Sequence, residues 1–364
     1  MYAVFSNMNN THKVQNRLIQ HSKPTLGIEE ARAVSKVIES GYIAEGEMVK
    51  KFENTFAQTF GIEYALSTNS GTSALHLTLL AMGVGPGDEV IFPSYVCSAL
   101  LNAVNYTGAA PILADIDPDS YNLEAVDVKR RISRRTKAII VPHLFGLAAD
   151  LDSLLDLNVP IIEDCAQSIG ATYHQRLVGT IGQAAIFSFY ATKVITTAEG
   201  GMVVTNSQDI AASIKDLKTY DQRDEYKIRF NYKMTDIQAA LGIVQLERLQ
   251  SIIRRRKAIA EKYSRAFHNL DLKLPPADAG HIYFRYVIGL NMNSRPWIQE
   301  FARMGIVCEQ PIHFPLHRNL KLSGFTETQK AWNQSLSIPI YPTLSDEEIS
   351  RIIDSLIICY KKFC

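Results

Sequence analysis

Seven short apolar runs dominate the middle of the chain, at positions 64–66, 89–92, 111–114, 138–141, 159–162, 185–189 and 202–204. Each has the length of a strand, and most are separated by segments long enough for a helix. A continuous apolar run suits a strand covered on both faces, where an alternating one would suit a half-exposed strand. Seven such runs in this rhythm predict an α/β fold with a seven-stranded, mostly parallel, doubly wound sheet. Sheets of this kind bind ligands beyond the carboxyl ends of their strands.

Before the sheet, positions 27–40 read as a helix. Ile28, Ala31, Val34, Val37 and Ile38 follow helical spacing and Gly41 closes it. After it, a long helical region covers 235–268, where Arg254, Arg255 and Arg256 read as a solvated face. Pro275 and Pro276 then mark a boundary. The expected organisation is a loose arm at 1–22, a large α/β domain at 23–250 and a smaller C-terminal α+β domain at 251–364.

Composition excludes several classes. Lysine and arginine (38) balance aspartate and glutamate (37) to a formal charge of +1, so no basic face for nucleic acid is expected. The five cysteines are irregularly spaced with no CxxC pair, which argues against a disulfide framework or a zinc site and fits a reducing cytosol. The first thirteen residues are polar, unlike a signal peptide. No stretch approaches the roughly 18 apolar residues that a membrane span needs. A cytoplasmic protein without membrane or metal is therefore expected.

Chemistry-bearing residues cluster just after the predicted strands. Asn69-Ser70-Gly71-Thr72-Ser73 opens an apolar helix. Free N–H groups and the helix dipole at such a turn suit a phosphate, although Ser70 or Thr72 acting as an ordinary N-cap is equally compatible. Neither GxxxxGK[ST] nor GxGxxG is present there, so no ATPase or Rossmann dinucleotide site is indicated. Glu163-Asp164-Cys165-Ala166-Gln167 follows the fifth run. A carboxylate at a buried strand end needs a cation or several donors, a protonated pyridine nitrogen among the candidates, unless Asp164 simply caps the next helix. Ser188-Phe189-Tyr190-Ala191-Thr192-Lys193 follows the sixth run, and Glu199-Gly200-Gly201 turns the chain into the seventh. A partly buried Lys193 would be a nucleophile towards carbonyls, whereas a surface lysine would not. Together, a phosphate cradle, a strand-end Asp and a strand-end Lys meet the needs of pyridoxal phosphate.

At this point the sequence resembles the DegT/DnrJ/StrS family of fold-type-I sugar aminotransferases. The resemblance runs from Pro24 to Cys364 through Gly27-Ile28-Glu29-Glu30, Ser70-Gly71-Thr72, Gly85-Pro86-Gly87-Asp88-Glu89-Val90, the Glu163 and Ser188 motifs above, Glu199-Gly200-Gly201 and Pro315-Leu316-His317. It implies that Lys193 carries the internal aldimine of pyridoxal 5'-phosphate, Asp164 pairs with the pyridine nitrogen and Gln167 contacts the phenolic oxygen. Ser70, Gly71, Thr72 and Ser188 would hold the phosphate. Asn231 would reach the phosphate of the partner subunit, giving a homodimer with shared active sites. His313 and His317 would border the sugar pocket.

Three positions depart from the family pattern. Cys97 stands where an aromatic residue commonly stacks on the cofactor ring, so either a smaller face packs the ring or Tyr95 takes its place. Phe230 precedes Asn231 where glycine is frequent, and Lys233 replaces a frequent arginine.

The implied reaction is ping-pong transamination from L-glutamate, leaving 2-oxoglutarate and pyridoxamine 5'-phosphate, and then onto a nucleotide-linked keto-sugar, with a surface polysaccharide as the expected destination. Relatives with histidine at the lysine position are sugar dehydratases, so Lys193 points to transamination. An aminotransferase for a non-nucleotide ketone such as a cyclitol would use the same motifs. A catalytically inactive relative would be expected to lose Lys193 or Asp164.

Overall fold

The computed structural model describes residues 18–221 and 223–364. All seven runs enter one sheet as β1 (Tyr64–Thr68), β2 (Glu89–Pro93), β3 (Ala110–Ala114), β4 (Thr136–Pro142), β5 (Ile161–Asp164), β8 (Ala184–Ser188) and β9 (Gly201–Thr205). A two-stranded hairpin, β6 (Thr172–Tyr173) and β7 (Arg176–Leu177), stands apart from it. The sheet order is β1-β9-β8-β5-β4-β2-β3. β9 pairs antiparallel with both β1 and β8, while the other ladders are parallel. The connection between β8 and β9 is the helix-free loop at 189–200 that carries Lys193, and antiparallel neighbours need no crossover helix.

Both faces of the sheet are covered. On β2, Val90 and Phe92 enter one apolar cluster and Ile91 another. On β8, Ile186 faces the cluster built by α3 (Gly71–Ala81) and α4 (Ser98–Thr107), while Ala185 and Phe187 face the opposite side. This is the side-chain alternation of a strand. The second side is aromatic. Phe52, Phe56 and Phe60 of α2 (Glu47–Phe60) meet Phe187 and Phe189, with Phe56 and Phe60 stacked at 4.5 Å.

Helix α1 (Ile28–Ser40) ends at Gly41 in a left-handed conformation, as its sequence predicts. Of its five apolar positions only Val37 is buried, and Ile28 and Ile38 are exposed. The expected loose arm falls mostly outside the described residues. Its end is docked: Ile19 bridges to Ile306 and is fully buried. Two adjacent apolar residues, Leu18 and Ile19, in a polar stretch carry no periodic signal, so this strand-like contact was invisible in the sequence.

After α5 (Ala125–Arg131), α6 (Leu151–Leu155) and α7 (Gln208–Leu217), the expected long helix appears as two, α8 (Asp236–Glu247) and α9 (Leu249–Phe267). They meet at Arg248, whose guanidinium is bonded to Glu30 of α1. Leu249, Ile252 and Ile253 of α9 belong to the aromatic cluster under the sheet, while Ile259, Ala260, Tyr263 and Phe267 belong to a separate C-terminal core. That core also holds Tyr286 of β10 (Tyr286–Gly289), Trp297 of α10 (Arg295–Arg303), Leu336 of β11 (Ser335–Ile338) and Leu356 of α13 (Asp346–Phe363). The solvated-face reading fits Arg254 but not its neighbours. Arg256 is buried and donates to the carbonyls of Tyr283, Phe284 and Ile340, and Arg255 reaches the carbonyls of Pro342 and Leu344.

Candidate active site

Lys193, Asp164 and the first turn of α3 come together at the carboxyl ends of β8, β5 and β1. The Lys193 loop leaves β8 and is tied back to it. Phe189 and Gly200 are joined by a backbone hydrogen bond of 2.9 Å, and Thr197 N–H and the Thr196 hydroxyl both donate to the Phe189 carbonyl. Lys193 keeps part of its surface accessible, but its amine is set against the ring of Phe284, 5.4 Å from the centroid. Burial holds the amine below the ordinary lysine pKa. Cys97 and Asp164 pull the other way, and Arg285 adds to the lowering.

Asp164 ends β5. Burial holds its carboxyl above the ordinary range, against the Ala166 N–H that donates to it at 3.0 Å and the charge of Lys193. With one donor among the described residues, the carboxylate is under-supplied. A protonated nitrogen at this point would remove the cost.

Glu163, one residue earlier, points the other way and is fully satisfied. It accepts from His143 Nε2 (3.0 Å), Gly179 N (2.7 Å), Ile181 N (2.8 Å) and Gly182 N (2.7 Å). Burial alone would raise its pKa; these donors hold it below the usual value. His143 Nδ1 accepts from Ala149 N–H, which leaves the ring proton on Nε2, facing Glu163. His143 N–H in turn holds the Asp164 carbonyl at 3.2 Å. His143, Glu163 and Cys165 lie within 4.8 Å of one another. Four N–H donors fill the Glu163 oxygens, and burial raises the Cys165 thiol well above its usual pKa, so the group is a hydrogen-bonded anchor for β4 and β5 rather than a cation site.

The turn before α3 behaves both as cap and as cradle. The Ser70 hydroxyl is spent as the N-cap, accepting from Ser73 N–H at 3.1 Å and meeting the Ser73 hydroxyl at 2.9 Å. The N–H groups of Gly71 and Thr72 have no acceptor among the described residues and remain as first-turn donors. Gly71 lies against Ser188 so closely that a Cβ there would sit 2.8 Å from the Ser188 Cβ. This brings the Ser188 hydroxyl to the helix N-terminus. Gln167 uses its carbonyl oxygen on Phe145 N–H (2.9 Å), which leaves its amide N–H groups for a ligand oxygen. Two amide donors, a hydroxyl, an under-satisfied buried carboxylate and an amine of lowered pKa fit pyridoxal phosphate.

The remaining expected residues are placed as follows. Cys97 is exposed at the N-cap of α4 and is close enough to act on the Lys193 charge. Tyr95 is fully buried, its ring edge-on to Phe145 and its hydroxyl 3.4 Å from the Ala331 carbonyl, so it does not replace the missing aromatic face. Asn231 is exposed, and its carbonyl accepts from Asn69 of its own chain at 3.2 Å. His313 is exposed. His317, at the start of α11 (Leu316–Asn319), is buried: Nδ1 meets the Ser94 hydroxyl at 2.8 Å and the ring stacks on Phe325, just before α12 (Thr326–Gln334). These contacts make His317 a clasp between the C-terminal segment and the end of β2.

Sequence reasoning gave no role to His143 or to Arg285. His143 lies two residues after the fourth apolar run, as Asp164 does after the fifth, so the strand-end rule that flagged Asp164 also applied to it. Arg285 sits between Phe284 and Tyr286, just before the short strand β10, and gave no signal of its own.

A family model described as the DegT/DnrJ/EryC1/StrS aminotransferase family matches residues 24–357. The chain is 35% identical to the GDP-perosamine synthase of Caulobacter vibrioides, covering 93% of this chain and 97% of that one. It is 33% identical to the spore coat polysaccharide biosynthesis protein SpsC of Bacillus subtilis, over 94% and 97% of the two chains. Among solved structures, Spr1654 of Streptococcus pneumoniae in its PMP form superposes with a TM-score of 0.90 at 28% identity, covering 95% of this chain and 98% of that one.

Proposed function

The chain belongs to the DegT/DnrJ/EryC1/StrS aminotransferase family and is a pyridoxal-phosphate-dependent transaminase, and from that premise we propose that it moves an amino group from L-glutamate to a nucleotide-linked keto-sugar. The observation that carries the reading is the convergence of a lysine of lowered pKa and a buried carboxyl of raised pKa beside a first-turn phosphate cradle. The GDP-perosamine synthase and SpsC likenesses support a sugar acceptor that feeds a polysaccharide.

Pyridoxal phosphate supplies the electron sink that lets a Cα–H bond break next to the transferred nitrogen. The chain's residues do the rest. Gly71 N–H, Thr72 N–H and Ser188 bind the phosphate, and Gln167 orients the ring through its amide N–H. Asp164 holds a proton on the ring nitrogen, where its otherwise costly charge gains a cation. Lys193 binds the cofactor covalently and, once released by the donor amine, takes the Cα proton as general base. Its lowered pKa keeps a larger share of the amine unprotonated near neutral pH. Phe284 excludes water from one side of that amine. Asn231 of a second copy would complete the phosphate site, which makes a homodimer the expected assembly.

The test is an absorption spectrum before and after L-glutamate. A visible band near roughly 400–430 nm, expected for a lysine-bound cofactor, should bleach with glutamate and return with the correct keto-sugar. A band indifferent to glutamate would refute the donor. Absence of any band after adding pyridoxal phosphate would refute the catalytic reading. Mixing Lys193→Ala with Asn231→Ala subunits should recover activity if sites are shared, and heterodimers without recovery would refute sharing.

A further inference from the structure

Two cations stand over one ring. The Lys193 amine lies 5.4 Å and the Arg285 guanidinium carbon 5.6 Å from the centroid of Phe284. Arg285 immediately precedes β10 and is tied to the other side of the site by its N–H, which donates to the Phe145 carbonyl at 3.3 Å. Thr192, next to Lys193, lines the same small cavity as Arg285, Arg256 and His21.

The guanidinium is only half used. Its Nη1 meets the ring nitrogens of His21 at 3.0 and 3.1 Å, and lies 3.7 Å from Glu309, too far for a hydrogen bond. His21 is neutral, its pKa lowered to about 3 by burial and by Arg285, so it positions the arginine without cancelling the charge. Glu309 is half-exposed and is shared with His21. Among the described residues no acceptor meets Nε or Nη2 of Arg285, and neither atom is among the buried polar atoms left without a partner. The Nε–Nη2 edge is therefore open. That edge is the fork that binds a carboxylate with two parallel hydrogen bonds. Arg256, the neighbouring cation, offers no such edge: its Nη1 is spent on three carbonyls and its Nε is enclosed.

We propose that the open edge of Arg285 anchors a carboxylate of the amino donor, holding the donor amine towards the Lys193 position, with His21 as the positioning residue that fixes the guanidinium. The proposal rests on the amino-acid-donor reading above and adds the residue that selects an acidic donor. Glu309 is the local carboxylate that an incoming donor would outcompete, because it is too distant to bond and faces water.

The experiment uses the cofactor-loaded protein and glutarate, a dicarboxylate that cannot react. Glutarate binding is measured by titration calorimetry in wild type, Arg285→Met and Arg285→Lys, with the visible spectrum as a check on the cofactor. Loss of a charged bidentate contact predicts affinity weakened about 10–100-fold in Arg285→Met. The band should be retained, and the acceptor half-reaction, started from the pyridoxamine form, should be weakened by a smaller factor than glutarate binding, because it loses only the effect of Arg285 on the Lys193 amine. Arg285→Lys keeps the charge without the fork and should fall between. Glutarate affinity unchanged in either variant, or a defect confined to the acceptor half-reaction, overturns the role of Arg285. A wild-type protein that shows the band but binds no glutarate overturns the donor reading and this inference with it. No band at all in wild type is instead a failure of the cofactor reading.

Discussion

Gly71 and Ser188 touch across the sheet: the position of a glycine Cβ falls 2.8 Å from the serine Cβ and 3.2 Å from its hydroxyl oxygen. The helix that offers N–H groups and the strand that offers a hydroxyl can converge only because one of the two residues lacks a side chain. The Lys193 loop begins at the same serine. The contact therefore links the anion end of the site to its nucleophile end.

Gly71→Ala should push α3 away from β8. We expect cofactor affinity to fall about tenfold or more and the melting temperature to drop by roughly 1–2 °C per kcal/mol of overpacking. Adding Ser188→Gly should restore the melting temperature, because space returns, but not the affinity, because the hydroxyl is gone. Spectroscopic titration with pyridoxal phosphate and a thermal melt separate the two effects.

Lys193 and Asp164 both sit where burial opposes their charged forms. In cofactor-free protein the attraction between the two groups offsets this only in part, so removing the lysine should stabilise the fold. Cofactor-free Lys193→Met should melt above cofactor-free wild type. With cofactor the order should reverse, since only wild type gains the covalent link. A cofactor-free Lys193→Met that melts below wild type would contradict the strained-lysine account.

His21 and His281 give the protein an acid limit. Burial is the main cause in each case, holding them neutral with pKa lowered to about 3 and about 4, against an unfolded value of 6.5. Below that value the unfolded chain takes up two protons that the folded chain refuses. Stability is therefore lost as pH falls, with a slope approaching about 2.7 kcal/mol per unit for two groups between pH 6 and 4.5. Urea unfolding across that range measures it. His281→Asn should roughly halve the slope, and an unchanged slope would remove His281 from the account.

Arg254 and Arg256 are two residues apart but should respond very differently. Arg256→Ala leaves three buried carbonyls without their donor and should cost at least about 3 kcal/mol. Arg254→Ala, on the exposed side, should stay within about 0.5 kcal/mol. Chemical denaturation of the two variants compares them directly.

The same pair shows what a sequence makes legible. The seven strands were readable because burial on both faces leaves unbroken apolar runs such as Ile139-Ile140-Val141. The placement of Lys193 and Asp164 followed from the strand-end rule. Arg256 was misread because three adjacent arginines suggest solvent. Yet the stripe Leu249, Ile252, Ile253, Ile259, Ala260 and Tyr263 passes through position 256 at helical spacing. Helix α2 was omitted altogether, although Val49, Phe52, Phe56 and Phe60 carry the same signal. Other features have no local signature. The reversed direction of β9, the docking of Ile19 and the clasp of His317 on Ser94 depend on partners 200 or more positions away, or on which strand lies beside which.

Helix α9 has one further consequence. Its first turns are planted in the aromatic core beneath the sheet and its later turns in the C-terminal core, with no flexible connector between them. A beam fixed at both ends resists being folded at the middle. A change in the angle between the two cores would have to bend or break this helix, so they are expected to keep one relative arrangement. A chain severed within it should yield two insoluble fragments, not two working lobes.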